Sequence, residues 1–154
     1  MGKTTKILFV CHGNICRSPL AEILFRDLAQ KRGVSERFSV YSSGTSDEER
    51  GNPIYAPVQR LLRAKGISYA PHRANRMSAA DGEKYDMLIG MDGYNLTNMK
   101  RIVGPRCAEK CSLLLDYTDT PGSIEDPWYT DRYEYVYEQI LAGCGGLLDS
   151  LLEK

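Results

Sequence analysis

The segment that most restricts the fold of this chain is a run of eight residues, Cys11–Ser18, between an apolar stretch and a stretch with helical spacing. The apolar residues 7–10 have the length and composition of a short buried strand. Ser18 followed by Pro19 is typical of the start of a helix, where proline is tolerated best. The sequence therefore predicts a strand that leads through a tight loop directly into a helix.

The rest of the chain repeats this alternation of strand and helix. Three further strands are predicted at 38–42, 85–91 and 112–117, and helices are predicted at 20–32, at 58–66, from Asp92 to Gly104 and from Thr130 onward. Strands that alternate with helices form parallel sheets covered by helices. We therefore expect a three-layer α/β fold, with a four-stranded parallel sheet and helices on both faces, in a single domain over residues 1–154.

Composition and charge narrow the possible function classes. The 154 residues include 20 basic and 20 acidic side chains, and this balance argues against a general nucleic-acid-binding surface. The apolar run 7–11 is too short for the core of a signal peptide or for a membrane span. The sequence thus predicts a cytoplasmic protein with no nucleic-acid partner and no membrane partner.

The five cysteines form an odd set, which is typical of reduced thiols in the cytosol and not of a disulfide framework. Cys107 and Cys111 lie close together in sequence, but no second pair and no histidine cluster accompanies them. Cys144 falls among the apolar positions of the last predicted helix, as a small core residue does. We expect no metal site and no organic cofactor.

The loop Cys11–Ser18 carries the residue types of an anion-binding site with a nucleophile. Cys11 lies at the carboxyl end of a predicted strand, which is where open parallel sheets bind ligands. The N-terminus of the following helix offers free N–H groups that favour an oxyanion and a thiolate. Arg17 can direct two N–H donors at two phosphate oxygens. Gly13 permits close approach of the backbone, and Asn14 tolerates left-handed geometry.

These features predict a loop that surrounds a phosphoryl group while the Cys11 thiolate attacks it to form a phosphocysteine. The residues expected to bind phosphate are His12, Gly13, Asn14, Ile15, Cys16, Arg17 and Ser18. A purely structural alternative has Cys11 as a core thiol, Arg17 as a surface residue and Ser18 as a helix cap. The strand and helix signals around the loop favour the phosphate-binding interpretation.

Two separated motifs resemble those of the low-molecular-weight protein tyrosine phosphatases. The first motif is Val10–Pro19, continued by Leu20–Glu22, and the second is Asp126–Tyr129. Between them, four further elements follow in the family's order, namely Ser42, Gly51–Pro53, His72 and Met91–Asp92. The resemblance covers essentially the whole chain, and it implies a flavodoxin-like fold of the low-molecular-weight phosphatase type.

The resemblance implies Cys11 as the nucleophile, Arg17 as the clamp on the transition state and Asp126 as the general acid and base. The residue pattern alone leaves four other acids equally eligible, namely Asp116, Asp119, Glu125 and Asp131. The resemblance also implies a phosphotyrosine protein or a small aryl phosphate as substrate. A cognate tyrosine kinase is a candidate partner.

Support of the loop and redox protection are further roles that the resemblance implies. The supporting hydrogen-bond network is expected to comprise Asn14, Ser18, Ser42 and His72. The residues alone favour an ordinary surface position for His72 after Pro71. In the family, a cysteine pair such as Cys11 and Cys16 can form a reversible disulfide that protects the nucleophile from further oxidation. Cys16 is also compatible with simple packing against the sheet.

The expected substrate slot departs from the family pattern in one wall. The residues predicted to line the slot are His12, Glu48, Trp128 and Tyr129. The family places an aromatic residue three positions before Gly51–Pro53, whereas this chain has Glu48 there. One wall of the slot is therefore acidic and less apolar. We expect turnover of small aryl phosphates, with a peptide preference that differs from that of aromatic-walled relatives.

Two other functions fit the same loop. An arsenate reductase of this fold needs two further thiols, expected within 72–92, where the sequence has no cysteine; Cys107 and Cys111 form the only remote pair. A phosphate-binding module without catalysis has no need for Cys11, Arg17 and Asp126 together. Both functions remain alternatives to the phosphatase.

Overall fold

A parallel sheet of four strands forms the middle layer of the protein, which the computed structural model describes over residues 3–153. The strands are β1 (Thr5–Cys11), β2 (Phe38–Gly44), β3 (Met87–Gly90) and β4 (Cys111–Leu113). Their order across the sheet is β2-β1-β3-β4, and every neighbouring pair is parallel. This topology confirms the predicted fold class.

Helices connect the strands and cover the sheet. Within residues 3–153 the α-helices are α1 (Arg17–Lys31), α2 (Ala56–Ala64), α3 (Asp81–Lys84), α4 (Gly93–Val103), α5 (Pro127–Thr130) and α6 (Tyr133–Leu152). Short 3-10 helices lie at Ser35–Arg37, Ala108–Lys110 and Leu114–Tyr117. In this described range, none of the helices has both the length and the apolar character that a membrane span requires.

Alternate residues of β1 belong to two separate hydrophobic cores. Ile7 and Phe9 lie in the core that the sheet forms with α1 and α6, whereas Leu8 and Val10 pack with Met99 of α4 on the other face. A strand places successive side chains on opposite faces, so an unbroken apolar run such as this one belongs to a sheet that is covered twice. The two cores give the protein its three layers.

The predicted strand at 112–117 is wrong in its second half. β4 ends at Leu113, and the next four residues, Leu114–Tyr117, form a 3-10 helix. The two leucines of that helix are both buried, although consecutive residues of a strand point to opposite faces. The carboxylate of Asp116 accepts a hydrogen bond from the N–H of Leu113 at 3.0 Å and closes the turn.

Other predicted boundaries also change; for example, α1 begins at Arg17 and β2 extends to Gly44. β3 is shorter than the predicted 85–91. The last helix begins at Tyr133 and not at Thr130, because the preceding residues form the separate helix α5. Asp131 lies between the two helices in the left-handed region, with φ 61°, and this conformation interrupts a continuous helix.

Two glycines bring α6 directly against the 3-10 helix that follows β4. A Cβ atom at Gly143 would lie 2.5 Å from Cγ of Leu114, and one at Gly146 would lie 2.0 Å from the carbonyl oxygen of Tyr117. No side-chain carbon fits at either distance. This close contact fixes the start of the segment that leads from the sheet to Asp126.

The loops that follow β1, β2 and β3 meet at one edge of the sheet. The N–H of Thr45, after β2, donates to the carbonyl oxygen of Cys11 at 2.9 Å. The N–H of Ile124 donates to the carbonyl oxygen of Met91, after β3, at 2.8 Å. The carboxyl edge of the sheet is therefore the place where distant parts of the sequence come together.

Candidate active site

Cys11 is the last residue of β1, and its side chain forms the base of a small cavity. The residue is only 3 % exposed. Its Sγ atom lies 3.0 Å from Oγ of Ser18 and accepts the N–H of Asn14 at 3.3 Å. Because α1 begins at Arg17, the free N–H groups of its first turn lie beside the same loop. Hydrogen bonds and a helix N-terminus both stabilise negative charge on the sulfur atom.

Asn14 connects the loop to the rest of the site. It is fully buried and lies in the left-handed region, with φ 60°. Its side-chain amide donates to Oγ of Ser18 at 2.8 Å and to Oγ of Ser42 at 3.0 Å. Nε2 of His72 lies 2.9 Å from the Asn14 carbonyl oxygen. The residues predicted to support the loop thus form one hydrogen-bonded network around Asn14.

Two members of this network were missed by the sequence analysis. The side-chain oxygen of Asn14 accepts the backbone N–H of Asn75 at 3.0 Å. The hydroxyl of Ser42 donates to Oε1 of Glu22 at 2.7 Å. Glu22 belongs to the first motif, but nothing in the sequence indicated that its carboxylate pairs with Ser42. Asn75 lies in an irregular segment and carried no signal.

The guanidinium of Arg17 is buried at the side of the cavity and is held by two acceptors. Nη1 donates to Oδ2 of Asp92 at 2.6 Å and to the carbonyl oxygen of Ile124 at 2.9 Å. Burial alone lowers the pKa of Arg17, but the nearby sulfur of Cys11 and the carboxylates of Asp92 and Asp126 raise that pKa above its ordinary value. Arg17 therefore stays charged although it is 2 % exposed.

Asp92 has a second role that its sequence position did not reveal. Its Oδ1 accepts the N–H of Asn95 at 2.8 Å and caps α4, as the sequence predicts. Its other oxygen fixes Arg17. The sequence feature that could have indicated this second role is the location of Asp92 after β3, at the edge of the sheet where ligands bind.

Asp126 lies opposite Arg17 at the start of α5. Its Oδ1 accepts the N–H of Trp128 at 3.0 Å, and its Oδ2 lies 3.5 Å from Nη2 of Arg17. Of the five acids that remained eligible from the sequence, Asp126 is the one that lines the same cavity as Cys11. Glu125, its neighbour, is instead paired with Arg132.

The cavity above Cys11 has a volume of about 130 Å³ and contains every residue predicted for the substrate slot. Its lining is Cys11, His12, Gly13, Ile15, Cys16, Arg17, Glu48, Glu49, Asp126, Trp128 and Tyr129. At its mouth Nε2 of His12 lies 2.9 Å from Oε2 of Glu48. On another wall the ring of Trp128 packs on Tyr55, with 4.8 Å between ring centroids. One wall is thus acidic and one is aromatic.

A larger cavity of about 450 Å³ lies between α1 and residues 66–72. Glu22 and His72 line it, but Cys11 and Arg17 do not. The chemistry therefore belongs to the smaller cavity.

Cys16 is buried near Cys11 as a free thiol. Burial raises its pKa well above the ordinary value, and the nearby Cys11 and Asp126 raise it further. Cys16 is therefore a neutral thiol at neutral pH. The disulfide between Cys11 and Cys16 stays a prediction.

Cys107 and Cys111 lie away from this cavity. Cys111 pairs with Leu88 in the sheet, and Leu88 pairs with Leu8, three residues before Cys11. At about 3.3 Å per residue, Cys111 is about 10 Å from the level of Cys11 along the strand direction. Cys107 precedes β4, towards the amino edge of the sheet.

The sequence and the fold both match known proteins of one family. The family model for low molecular weight phosphotyrosine protein phosphatase matches residues 6–154. This chain belongs to that family. The phosphatase is 38% identical over 147 residues to low molecular weight protein-tyrosine-phosphatase YfkJ of Bacillus subtilis, and the match covers 94% of each chain. These findings confirm the resemblance that the two sequence motifs indicated.

Further relatives agree with this assignment. The crystal structure of YfkJ superposes on the phosphatase with a TM-score of 0.95 at 37% identity, covering 99% of this chain and 97% of that one. The phosphatase is 34% identical over 148 residues to PtpA of Staphylococcus epidermidis, with 96% and 94% of the two chains covered. The crystal structure of DARP, a drosophila arginine phosphatase, has a TM-score of 0.86 at 31% identity, covering 96% and 98%.

Proposed function

We propose that this phosphatase hydrolyses aryl phosphate monoesters, phosphotyrosine side chains in proteins among them, through a phosphocysteine intermediate. The observation that carries the proposal is the arrangement of three groups around one cavity. The sulfur of Cys11 lies at its base, and the guanidinium of Arg17 lies 3.5 Å from the carboxylate of Asp126 at its side. These groups supply a nucleophile, an electrophilic clamp and a proton donor.

In the first step the Cys11 thiolate attacks phosphorus, and the bond between phosphorus and the phenolic oxygen breaks. Asp126, protonated at this stage, gives its proton to the leaving phenolate. Arg17 and the loop N–H groups stabilise the charge on the three equatorial oxygens, where positioning supplies most of the catalysis. Asp92 keeps the Arg17 guanidinium in place when phosphate is absent.

In the second step water attacks the phosphocysteine. The Asp126 carboxylate, now ionised, takes a proton from that water, and the sulfur–phosphorus bond breaks. Inorganic phosphate leaves, while Cys11 returns to the thiolate and Asp126 to the acid. Each group ends in its starting state, so the cycle needs no cofactor.

The walls of the cavity support an aryl substrate. The buried side chain of Ile15 and the indole of Trp128, which is 52 % exposed, offer apolar surface beside the nucleophile. Flat aromatic surface of this kind packs well against a phenyl ring. The carboxylate of Glu48 on the opposite side supports weaker binding of substrates with acidic residues next to the phosphotyrosine.

The proposed setting is the cytoplasm, with a tyrosine kinase as the opposing enzyme. All five cysteines of the chain are free thiols, which supports a reducing compartment.

Replacement of Cys11 by serine tests the nucleophile. Cys11→Ser is expected to reduce hydrolysis of p-nitrophenyl phosphate to the uncatalysed background, since the hydroxyl is a far weaker nucleophile at neutral pH. Cys144→Ser is the matched control, because Cys144 is also buried but lies in the core next to α1. Measurable turnover by Cys11→Ser, at a rate close to that of the control, would contradict the assignment.

A second candidate substrate is phosphoarginine in proteins. The 31% identity to DARP favours it, and so does the acidic residue Glu49 in the lining of the cavity, since a carboxylate pairs well with a guanidinium. Peptides that differ only in phosphotyrosine or phosphoarginine decide between the two. A higher kcat/KM for the phosphotyrosine peptide supports the main proposal, and the reverse order supports the second.

The two non-phosphatase alternatives make different predictions for the same protein. An arsenate reductase oxidises reduced thioredoxin in the presence of arsenate. The distance of Cys111 from Cys11 along the sheet argues against the relay of thiols that this reaction needs. A silent binding module binds phosphate but releases no phenol. Steady release of phenol without consumption of reductant excludes both.

A further inference from the structure

Asp126 lies on a short segment whose apolar contacts are the buried Ile124 and Pro127 and the ring of Trp128 on Tyr55. We call residues 123–131 the acid loop. The helix within it, α5, has four residues, of which Trp128 and Tyr129 are 52 % and 84 % exposed. The start of the loop is fixed, because Ile124 accepts a hydrogen bond from Arg17 at 2.9 Å. The end of the loop, at Thr130 and Asp131, is exposed and has to be fixed by polar contacts.

An ion pair between Glu125 and Arg132 supplies that anchor. Nε of Arg132 donates to Oε2 of Glu125 at 2.8 Å, and Nη2 donates to the other carboxylate oxygen. The pair therefore has two parallel hydrogen bonds, the geometry in which an arginine restrains a carboxylate best. It connects the residue just before Asp126 with the residue just before α6, so the turn that contains α5 is closed across its base.

Arg132 is itself fixed to the body of the protein. It is the residue immediately before α6, whose first turns bury Val136 and Tyr137. Its guanidinium carbon lies 4.3 Å from the centroid of the Tyr135 ring, and its backbone N–H donates to Oγ1 of Thr130 at 3.3 Å. A stacked and hydrogen-bonded arginine loses less freedom on pairing than a free one. The anchor thus connects the acid loop to the longest helix.

The ion pair persists at neutral pH. Hydrogen bonds from Arg132 and Thr130 lower the pKa of Glu125 to about 2. A carboxylate with a lowered pKa keeps its pairing above its unfolded pKa and loses it only as the pH falls through about 2. At neutral pH Glu125 therefore remains ionised and paired.

We propose that Arg132 is a positioning residue that, through Glu125, holds the carboxylate of Asp126 opposite Arg17 in the geometry for proton transfer. This inference rests on the proposed role of Asp126 as general acid. Exposed ion pairs contribute little to folding stability, so the pair acts on geometry more than on the fold. A small displacement of a general acid is enough to reduce its contribution to the rate.

The test is the dependence of kcat/KM on the leaving group. Phenyl phosphate has a poorer leaving group than p-nitrophenyl phosphate and depends more on proton donation. Arg132→Gln is expected to reduce kcat/KM for phenyl phosphate roughly threefold to tenfold, a small part of the ~10²–10⁴-fold effect of a general acid. The reduction for p-nitrophenyl phosphate is expected to be smaller. Inhibition by inorganic phosphate should not change, because the loop Cys11–Ser18, which we call the phosphate loop, is untouched.

Three further variants separate this role from a general disturbance. Glu125→Gln should reproduce the effect of Arg132→Gln, and the double variant should be no worse than either single one, because both residues act through one contact. Arg132→Lys, which keeps the charge but loses the fork, should be intermediate. Arg37→Gln removes an exposed arginine beside the amino end of β2, at the opposite edge of the sheet, and should change neither rate.

Equal loss for both substrates, additive losses in the double variant, or no loss in Arg132→Gln would each overturn the proposal. The proposal would also be overturned if Arg132→Gln lowered the unfolding temperature so far that the protein were partly unfolded under the assay conditions, since unfolding would then explain the loss of activity. Failure of the proposed function looks different, since the unaltered protein would then release phenol from neither substrate.

Discussion

The phosphate loop and the acid loop provide the two halves of one site by different physical means. In the phosphate loop the polar side chains around Cys11 are buried, with Asn14 and Ser18 0 % and Arg17 2 % exposed. In the acid loop Tyr129 is 84 % exposed, and the ion pair that closes the loop lies at the surface. Burial and many hydrogen bonds fix the phosphate loop, whereas a few directed contacts fix the acid loop.

This difference predicts different consequences of substitution. A buried polar group that loses its partner costs about 1–3 kcal/mol of stability, and an exposed one costs much less. Changes in the phosphate loop should therefore reduce both stability and activity. Changes in the acid loop should reduce activity alone.

Among the substitutions that compare the two loops, the largest effect is expected in the acid loop, at Asp126. Asp126→Asn should lower kcat/KM for phenyl phosphate by ~10²–10⁴, because the amide has no proton to donate as an acid. Stability should be unchanged, since asparagine caps a helix as well as aspartate does. Kinetics and thermal unfolding measure the two effects.

Asp131→Asn is the matched control within the same loop. Asp131 lies in the left-handed region, which asparagine tolerates, and Asp131 does not line the cavity. Comparable kinetic losses in the two variants would contradict the assignment of Asp126 and remove the contrast between the loops.

The next effect is expected in the phosphate loop, at Asn14. Asn14→Ala removes the side chain that joins Ser18, Ser42 and Asn75, and it places alanine at φ 60°. We expect a loss of about 2–4 kcal/mol in the free energy of unfolding, from unpaired groups and backbone strain. Turnover should fall by roughly 10²-fold, the scale of losing aligned donors.

Asn14→Gly separates the two causes, because glycine adopts a positive φ without strain. Denaturant unfolding of both variants is the measurement. If Asn14→Ala lowers activity but leaves stability unchanged, the phosphate loop is not fixed by burial, and the comparison fails.

The same contrast explains how much of the site the sequence predicted. The phosphate loop is contiguous, so its strand, its glycine and asparagine, and its arginine could be interpreted together from local rules. Asp126 could not be selected from the residues, because five acids were chemically equal and only the family motif distinguished it. Its place opposite Arg17 depends on a contact across more than a hundred residues.

The contacts that the sequence did not predict also depend on residues far apart in the chain. Asp92 and Asn75 contact the phosphate loop from distant segments, and such partners are set by the topology of the sheet. The end of β4 was predicted wrongly because Leu114 and the apolar residues around it suit a strand. Packing of that leucine against Gly143 of α6, which no local pattern contains, favours the 3-10 helix.

The smallest effect is expected at the mouth of the cavity, where Glu48 is exposed and paired with His12. Glu48→Trp should shift the ratio of kcat/KM between acidic and basic phosphotyrosine peptides by about two- to fivefold, the scale of an exposed charge. Glu36→Trp, at an exposed position in the 3-10 helix before β2, is the control. An unchanged ratio and an unchanged affinity would show that this wall does not select substrates.

Direct detection of phosphate on Cys11 tests the central claim that this residue is the covalent nucleophile. The protein is mixed with p-nitrophenyl phosphate, quenched with acid within the first turnover, digested and examined by mass spectrometry. We expect one phosphoryl group on the peptide that contains Cys11, formed together with the release of p-nitrophenol. Release of p-nitrophenol with no phosphate on Cys11, or with phosphate on another residue, would contradict it.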